Sequence, residues 1–426
     1  MGALIASAVV GLDTHQTVAY QMFAFLLSLF IIALLCTIRF RARFEAMRIL
    51  PQFGTVGERL IYTISIKNLS TVAQSGLSMF ENIEDPRPSF QEFLEAQEPN
   101  DKNRNLFDRI MGYHRWLWLI SIKQGALIKK HFLPPLPPNS ETNVKVEIMP
   151  SRRGPLSLTG LTIARPGPFG LFKSCITVPV KQSILVLPKR YSMRSLHFPG
   201  ARKYQPGGVA LASSVGNSDE FISLRDYHAG DSPRKIHWKS WAKMGKPIVK
   251  EYQDEFFIRH ALILDTFQET EYTEIFETAI SVAATFVSSI HEEESLLDFM
   301  FVGPQAYCFT SGRSLAYTSK ILEILASIRA CKDQSFSALS SLVMNHAAQL
   351  SGGICILLAW DKEREECINY LMERSIPLVI VLITETKDLN TIDPGPLEKR
   401  YKDFYIIEAG KAKEGLSNLW RHHRFS

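Results

Sequence analysis

Four short, nearly unbroken apolar runs, at 261–264, 296–302, 354–359 and 378–383, limit what the second half of this chain can become. Between them the apolar residues change rhythm. Ile275, Phe276, Ala279, Ala283, Phe286, Val287 and Ile290 recur mostly every three or four positions, as do Ile321, Leu322, Leu325 and Ile328. That spacing places them on one face of a helix. Strands apolar on both faces must be covered on both sides, and amphipathic helices between them supply the cover. Residues 256–426 therefore predict a doubly wound α/β domain with roughly five or six strands.

The region before it has a different period. Leu60, Tyr62, Ile64 and Ile66 alternate with Ile61, Thr63, Ser65 and Lys67, the pattern of a half-buried strand. A turn is expected at 68–70. Further short strands are expected at 144–148, after the proline-rich 133–138, and at 156–163 and 174–180. Several short strands with Gly and Pro punctuation predict a small β-sandwich over 48–188. An insertion at 85–130 interrupts it. Its second part holds Trp116 and Trp118 with Arg109, Arg115 and Lys123 nearby. Those residues suit a membrane interface, or equally an apolar strand or helix packed on the sandwich.

Residues 18–38 contain no charged side chain. A helix over them is roughly 30 Å long, the thickness of a bilayer core. Arg39, Arg41 and Arg43 follow the run rather than precede it, which argues against a cleaved signal sequence. By the positive-inside rule the remainder of the chain is cytoplasmic, attached to a membrane by an anchor within 1–44. The apolar stretch 3–12 is too short to span alone and reads as a partial first helix.

Between the two domains, 189–255 holds a dense charged stretch, 220–251, in which Phe221, Leu224, Tyr227, Ile236, Trp238 and Trp241 are interleaved with ionisable groups. This mixture predicts a partly buried, ordered ion-pair network. Ser232 and Pro233 mark a helix start, and Gly245 and Pro247 a stop, so a helix is expected over 233–244. His237 and Trp241 would stack along it. Arg234 and Lys235 would sit at its positive end, with Asp231, Asp226 or Glu220 to pair them. An enzyme reading makes His237 an acid or base oriented by Asp231 or Glu220. No nucleophile lies in a Gly-x-Ser-x-Gly setting and no glycine-rich phosphate loop precedes a helix.

At these positions the chain resembles the bacterial family known as domain of unknown function 58. Its signature has the form E-F-x-x-L-R-x-Y-x-x-G-D-x-x-R-x-I-x-W-K. Here that reads Glu220, Phe221, Leu224, Arg225, Tyr227, Gly230, Asp231, Arg234, Ile236, Trp238 and Lys239. The likeness continues at Arg152, Arg153 and Gly154, at 168–172, and at Lys250 and Glu251. The resemblance implies a carboxy-terminal domain similar to a von Willebrand factor A domain. It implies a MoxR-type AAA+ ATPase as partner, a role in assembly or maturation of other proteins, and no established catalysis or cofactor. One position departs. Where a metal-binding A domain has Asp-x-Ser-x-Ser, this chain has Asp265, Phe267 and Glu269. Phe267 offers no oxygen to a hard cation that needs about six. The metal site is read as degenerate, with Asp265 satisfying loop amides or capping a helix at the sheet edge.

Net charge narrows the choice of partners. At +5 over 426 residues, with no long basic tract, the chain does not read as a nucleic-acid binder. Its cysteines, Cys36, Cys175, Cys308, Cys331, Cys355 and Cys367, show no CxxC pair or zinc spacing. Cys308 and Cys355 lie in apolar runs and read as buried free thiols, which suits a reducing compartment. The expected protein is a non-enzymatic, membrane-anchored interaction or assembly factor of the bacterial inner membrane. The alternatives are a hydrolase or transferase centred on His237, and a metal-dependent adhesion module.

Overall fold

The computed structural model describes residues 17–38, 40, 42–96, 105–192, 203–204, 221–229, 231, 233, 236–252, 256–270, 272–289, 295–311, 315–385 and 403–422. The chain divides into two compact units, 1–187 and 188–426. The reading of 3–12 as a partial helix lies outside the described residues.

The first unit opens with α1 (Thr17–Ile38), a helix without a charged residue. Val18, Phe25 and Leu35 are among its exposed side chains. Among the described residues no helix is long and apolar enough to cross a membrane. The expected helix is thus present, while the expected transmembrane span is not found.

The strands β1 (Phe44–Ile49), β2 (Phe53–Thr55), β3 (Leu60–Asn68) and β4 (Ser78–Ile83) follow. Among the described residues the insertion holds three short helices, α2 (Phe90–Glu95), α3 (Leu106–Met111) and α4 (Tyr113–Lys123). Then come β5 (Ala126–Ile128), β6 (His131–Phe132), β7 (Glu141–Pro150), β8 (Gly154–Pro166) and β9 (Lys173–Leu187). One sheet has the order β1-β3-β7-β5 and the other β2-β9-β8-β4-β6. All pairs are antiparallel except β2 with β9. Tyr62, Ile64 and Ile66 of the first sheet and Leu158, Leu161 and Ile163 of the second belong to one buried core. The alternation in β3 therefore does what its period predicts. In β8 the register shifts between Leu158 and Gly160. The extra residue resets the phase, so Leu156 and Leu158, then Leu161 and Ile163, all point inward.

A buried ion pair crosses this sandwich. Arg48 Nη2 of β1 lies 2.8 Å from Glu81 Oε2 of β4, with both side chains fully buried. Arg48 also donates to the carbonyl of Gly160 at 2.8 Å, and the Tyr62 hydroxyl donates to Glu81 at 2.7 Å. Burial and the Glu81 carboxylate push the Tyr62 hydroxyl above the usual phenol range. The satisfied network ties the two sheets to one register.

The tip of the β8–β9 hairpin carries α1. Ser174 Oγ donates to the Thr37 carbonyl at 2.8 Å, and the Phe30 and Phe172 rings meet edge to face at 5.1 Å. The insertion leaves β4 at Ile83, which faces Leu158, and returns at Ala126, which faces Pro150. It therefore sits at the other end of the sandwich, on the order of 30 Å along β8 from that tip. Leu119 of α4 is buried, so this helix packs in part on the unit.

The second unit holds β10 (Lys203–Tyr204), β11 (Phe221–Asp226), α5 (Trp238–Met244), β12 (Ile248–Tyr252), β13 (Phe256–Leu264), α6 (Glu274–Ser289), β14 (Ser295–Val302) and β15 (Ala306–Ser311). It continues with α7 (Leu315–Ser327), α8 (Phe336–His346), β16 (Gly352–Leu357), α9 (Lys362–Glu373), β17 (Leu378–Thr384), β18 (Phe404–Glu408) and α10 (Ala412–His422). Its main sheet has the order β15-β14-β13-β16-β17-β18. β14, β13, β16, β17 and β18 are parallel, β15 is an antiparallel edge, and β10 pairs antiparallel with β13. Helices α6, α7 and α10 form one packed group, and α8 and α9 another. The expected doubly wound architecture is present. Strand order runs outward from β13 in both directions, so the crevice between β13 and β16 is the topological switch point.

Candidate functional site

The signature segment folds as an antiparallel hairpin, β11 with β12, carrying α5 in its connection. Arg225, next to last in the first strand, makes a two-point contact with Asp231. Nη1 donates to Oδ2 and Nη2 to Oδ1, each at 2.7 Å. The amide of His228 donates to the same carboxylate at 2.9 Å. One aspartate thus holds both the strand end and the turn beyond it. The Arg225 hydrogen bonds, then the His228 amide, hold the Asp231 carboxyl down at about 2.

The helix is shorter than 233–244. His237 donates its amide to the Ile248 carbonyl at 2.8 Å, and Ile236 forms a bridge with Val249. These contacts draw the segment ahead of Trp238 to the edge of β12, and α5 starts only afterwards. Gly245 stops it as expected, in the left-handed region at φ 71°, with its amide donating to the Trp241 carbonyl. Trp241 stacks on Trp238 rather than on His237, with ring centres 5.2 Å apart. The expected partners Arg234 and Lys235 lie outside the described residues, and the acids have other contacts. Asp231 takes Arg225, and Asp226 takes Lys246 at 2.7 Å.

Not all of the signature is buried. Leu224, Tyr227, Trp238 and Lys239 are exposed, and Ile236 is half-buried. The expectation of partial burial fails at Trp238, which is 65% exposed. Phe221 begins β11, while Glu220, Gly230 and Arg234 lie outside the described residues. His237 Nδ1 is 2.6 Å from Ser240 Oγ, a hydroxyl that sequence reasoning did not single out.

The second assembly is at the switch point. Asp265 follows β13 and is fully buried. Its Oδ1 accepts the Phe267 amide at 3.0 Å, and its Oδ2 accepts the Leu358 amide at 3.1 Å. Arg364 of α9 donates from Nε to the same Oδ2 at 2.7 Å. Its guanidinium also contacts Asp361, the cap of α9, and stands over the Phe336 ring at 4.7 Å. Burial opposes the charge on Arg364, but Asp265 and Asp361 outweigh it and raise its pKa. Phe267 turns to Phe336, edge to face at 6.0 Å. Positive charge at Asp265 thus comes from within the chain. Among the described residues no group of three acidic, His or Cys side chains is arranged to hold a metal ion. Arg364 was missed by sequence reasoning, although Asp361 at a helix start is a legible cap signal.

Arg259 Nε donates to Asp298 at 2.6 Å at the opposite edge of the sheet. A cavity of about 660 Å³ beside the end of α1 is lined by Cys36, Phe40, Arg165 and Ser174, among others. Arg165 lies over the Phe40 ring, and among the described residues the lining has no acid–base pair.

Fold and site define a mixed α/β protein in which an ion-paired hairpin precedes a doubly wound sheet. Residues 223–311 match the family described as "Protein of unknown function DUF58", which supports that family for a span running from β11 to β15. No curated protein matches the sequence. Among solved structures, the CARDB domain of the PF1109 protein from Pyrococcus furiosus, in complex with di-metal ions, is 10% identical. That match covers 34% of this chain and 93% of the other, at a TM-score of 0.18. A beta-glucosidase from Listeria innocua is 14% identical over 34% of this chain and 16% of its own, at a TM-score of 0.16. At these scores neither likeness carries an argument.

Proposed function

We propose that this protein is a non-enzymatic, membrane-anchored interaction or assembly factor, with a von Willebrand factor A-like domain and an AAA+ ATPase of the MoxR type as partner. The observation that carries the reading is the Arg225–Asp231 pair. It fixes a surface hairpin whose exposed side chains include Leu224, Tyr227 and Trp238. A rigid platform with aromatic side chains in water suits recognition of another protein. The A-like assignment is supported by the strand order and by Asp265 at the end of the central strand. Arg364 then stands in for the cation such a domain would bind. Anchoring is supported by the charge-free α1 with exposed apolar side chains, followed by Arg39, Arg41 and Arg43. In this arrangement the insertion lies far from the anchored end and is not an interfacial segment.

The test is affinity capture with the full chain from detergent-solubilised membranes of the source cells. The wild type is expected to retain an AAA+ ATPase, and Arg225→Gln with an unchanged melting curve is expected to lose it. Capture without any ATPase, or capture unaffected by the substitution, overturns the reading. The contact between His237 and Ser240 favours one second reading, a hydrolase with Ser240 as nucleophile. Among the described residues no acidic group orients the other ring nitrogen. Hydrolysis of ester or peptide substrates that disappears in both His237→Ala and Ser240→Ala would establish it.

A further inference from the structure

Positive charge is not spread evenly along this chain. Residues 225–250 hold seven basic and two acidic side chains, bounded by Glu220 and Glu251. That surplus equals the +5 of the whole protein. In the structure both acids are already matched, Asp231 by Arg225 and Asp226 by Lys246. Lys239 and Lys243 stand four apart on α5, one turn from each other, and both are exposed. Among the described residues neither is paired with an acid. Beside them the Trp238 indole stacks on Trp241 and is still 65% exposed, and Met244 is equally exposed at the end of the helix.

Two kinds of attraction therefore meet on one short helix. Burying a large apolar side chain favours association, and Trp238 at 65% exposure leaves most of its surface in water. Two unmatched ammonium groups beside it select for carboxylates and against other cations. We infer that the α5 face docks an acidic protein segment that carries an apolar side chain. The carboxylates meet Lys239 and Lys243, and the apolar group covers Trp238 and Met244. This deepens the docking role proposed above and rests on it, by stating the chemistry of the partner.

Single-stranded nucleic acid is the other polyanion that uses tryptophan and lysine. It needs a basic groove following several phosphates and open aromatic faces for successive bases. Here the two indoles stack on each other, so their facing sides are closed to bases.

The experiment titrates the full chain in detergent micelles with a fluorescein-labelled synthetic peptide of glutamates around a central leucine. A peptide with lysines for the glutamates and a single-stranded oligonucleotide are the comparisons. The glutamate peptide is expected to bind, more weakly as salt rises, and about tenfold more weakly to K239E/K243E. Trp238→Ala is expected to weaken binding without changing its salt dependence. K239Q/K243Q gives a smaller loss and guards against misfolding of the charge-reversed variant, with melting curves recorded for each. Binding unchanged in K239E/K243E, no binding of the glutamate peptide, or tighter binding of the oligonucleotide overturns the inference. If those results appear while Arg225→Gln still abolishes ATPase capture, the docking role stands and only the acidic chemistry fails.

Discussion

Arg364 shows how much one side chain decides at the switch point. Asp265 has no exposure, and without Arg364 its charge would be buried against two amides alone. Removing one member of such a pair costs about 3–5 kcal/mol, whereas replacing both by apolar groups of similar size is often close to neutral. Arg364→Ala is therefore expected to destabilise the protein by about that amount in urea unfolding, and D265L/R364M to recover most of the loss. A loss below about 1 kcal/mol in Arg364→Ala would remove the pair from any structural role. Asp265 was legible in the sequence because it ends an apolar run. Its partner was not, because the two are 99 residues apart and meet only where β13 and β16 lie side by side. The same holds for Arg48 and Glu81, which no spacing connects. Cysteines repeat the division. Cys355 is a buried thiol as read, and burial raises it well above the ordinary range, whereas Cys308 is only half-buried and is pushed up to about 11.

The hairpin is the element where pH should act. The Asp231 carboxyl is held at about 2, below its ordinary value of 3.8. A depressed carboxylate stabilises the fold above the ordinary value, and that contribution disappears as pH falls through the lowered one. Near-ultraviolet circular dichroism of the stacked Trp238 and Trp241 rings should therefore change between about pH 4 and pH 2. Asp231→Asn should show the altered signal at neutral pH and no step in that window. A step of equal size in the variant would assign it to another group. Element types were mostly readable here and elsewhere, since the period of two in β3 and the period near 3.6 in α6 are local properties. The start of α5 was not, because the main-chain bond from His237 to Ile248 outcompetes a favourable cap at Ser232 and Pro233. The bulge at Leu158 and Gly160 was equally hidden, as it depends on the facing strand.

For the whole molecule the decisive question is attachment. The proposed anchor predicts that the full chain sediments with membranes and resists carbonate extraction, that deletion of residues 1–40 releases it, and that a reporter at the carboxyl end reads as cytoplasmic. Extraction of the full chain by carbonate, or a reporter on the outer side, would refute that topology. The sequence by itself determined the two-part plan, a β-sandwich followed by a doubly wound sheet, because strand and helix periods are written along the chain and burial must follow them. Only the tertiary structure decided which charges share a buried space and which stay in water: Arg364 on Asp265, Arg225 on Asp231, and Trp238 exposed beside two lysines. Partners of that kind are chosen by strand order and register, which bring together residues whose separation along the chain carries no signal.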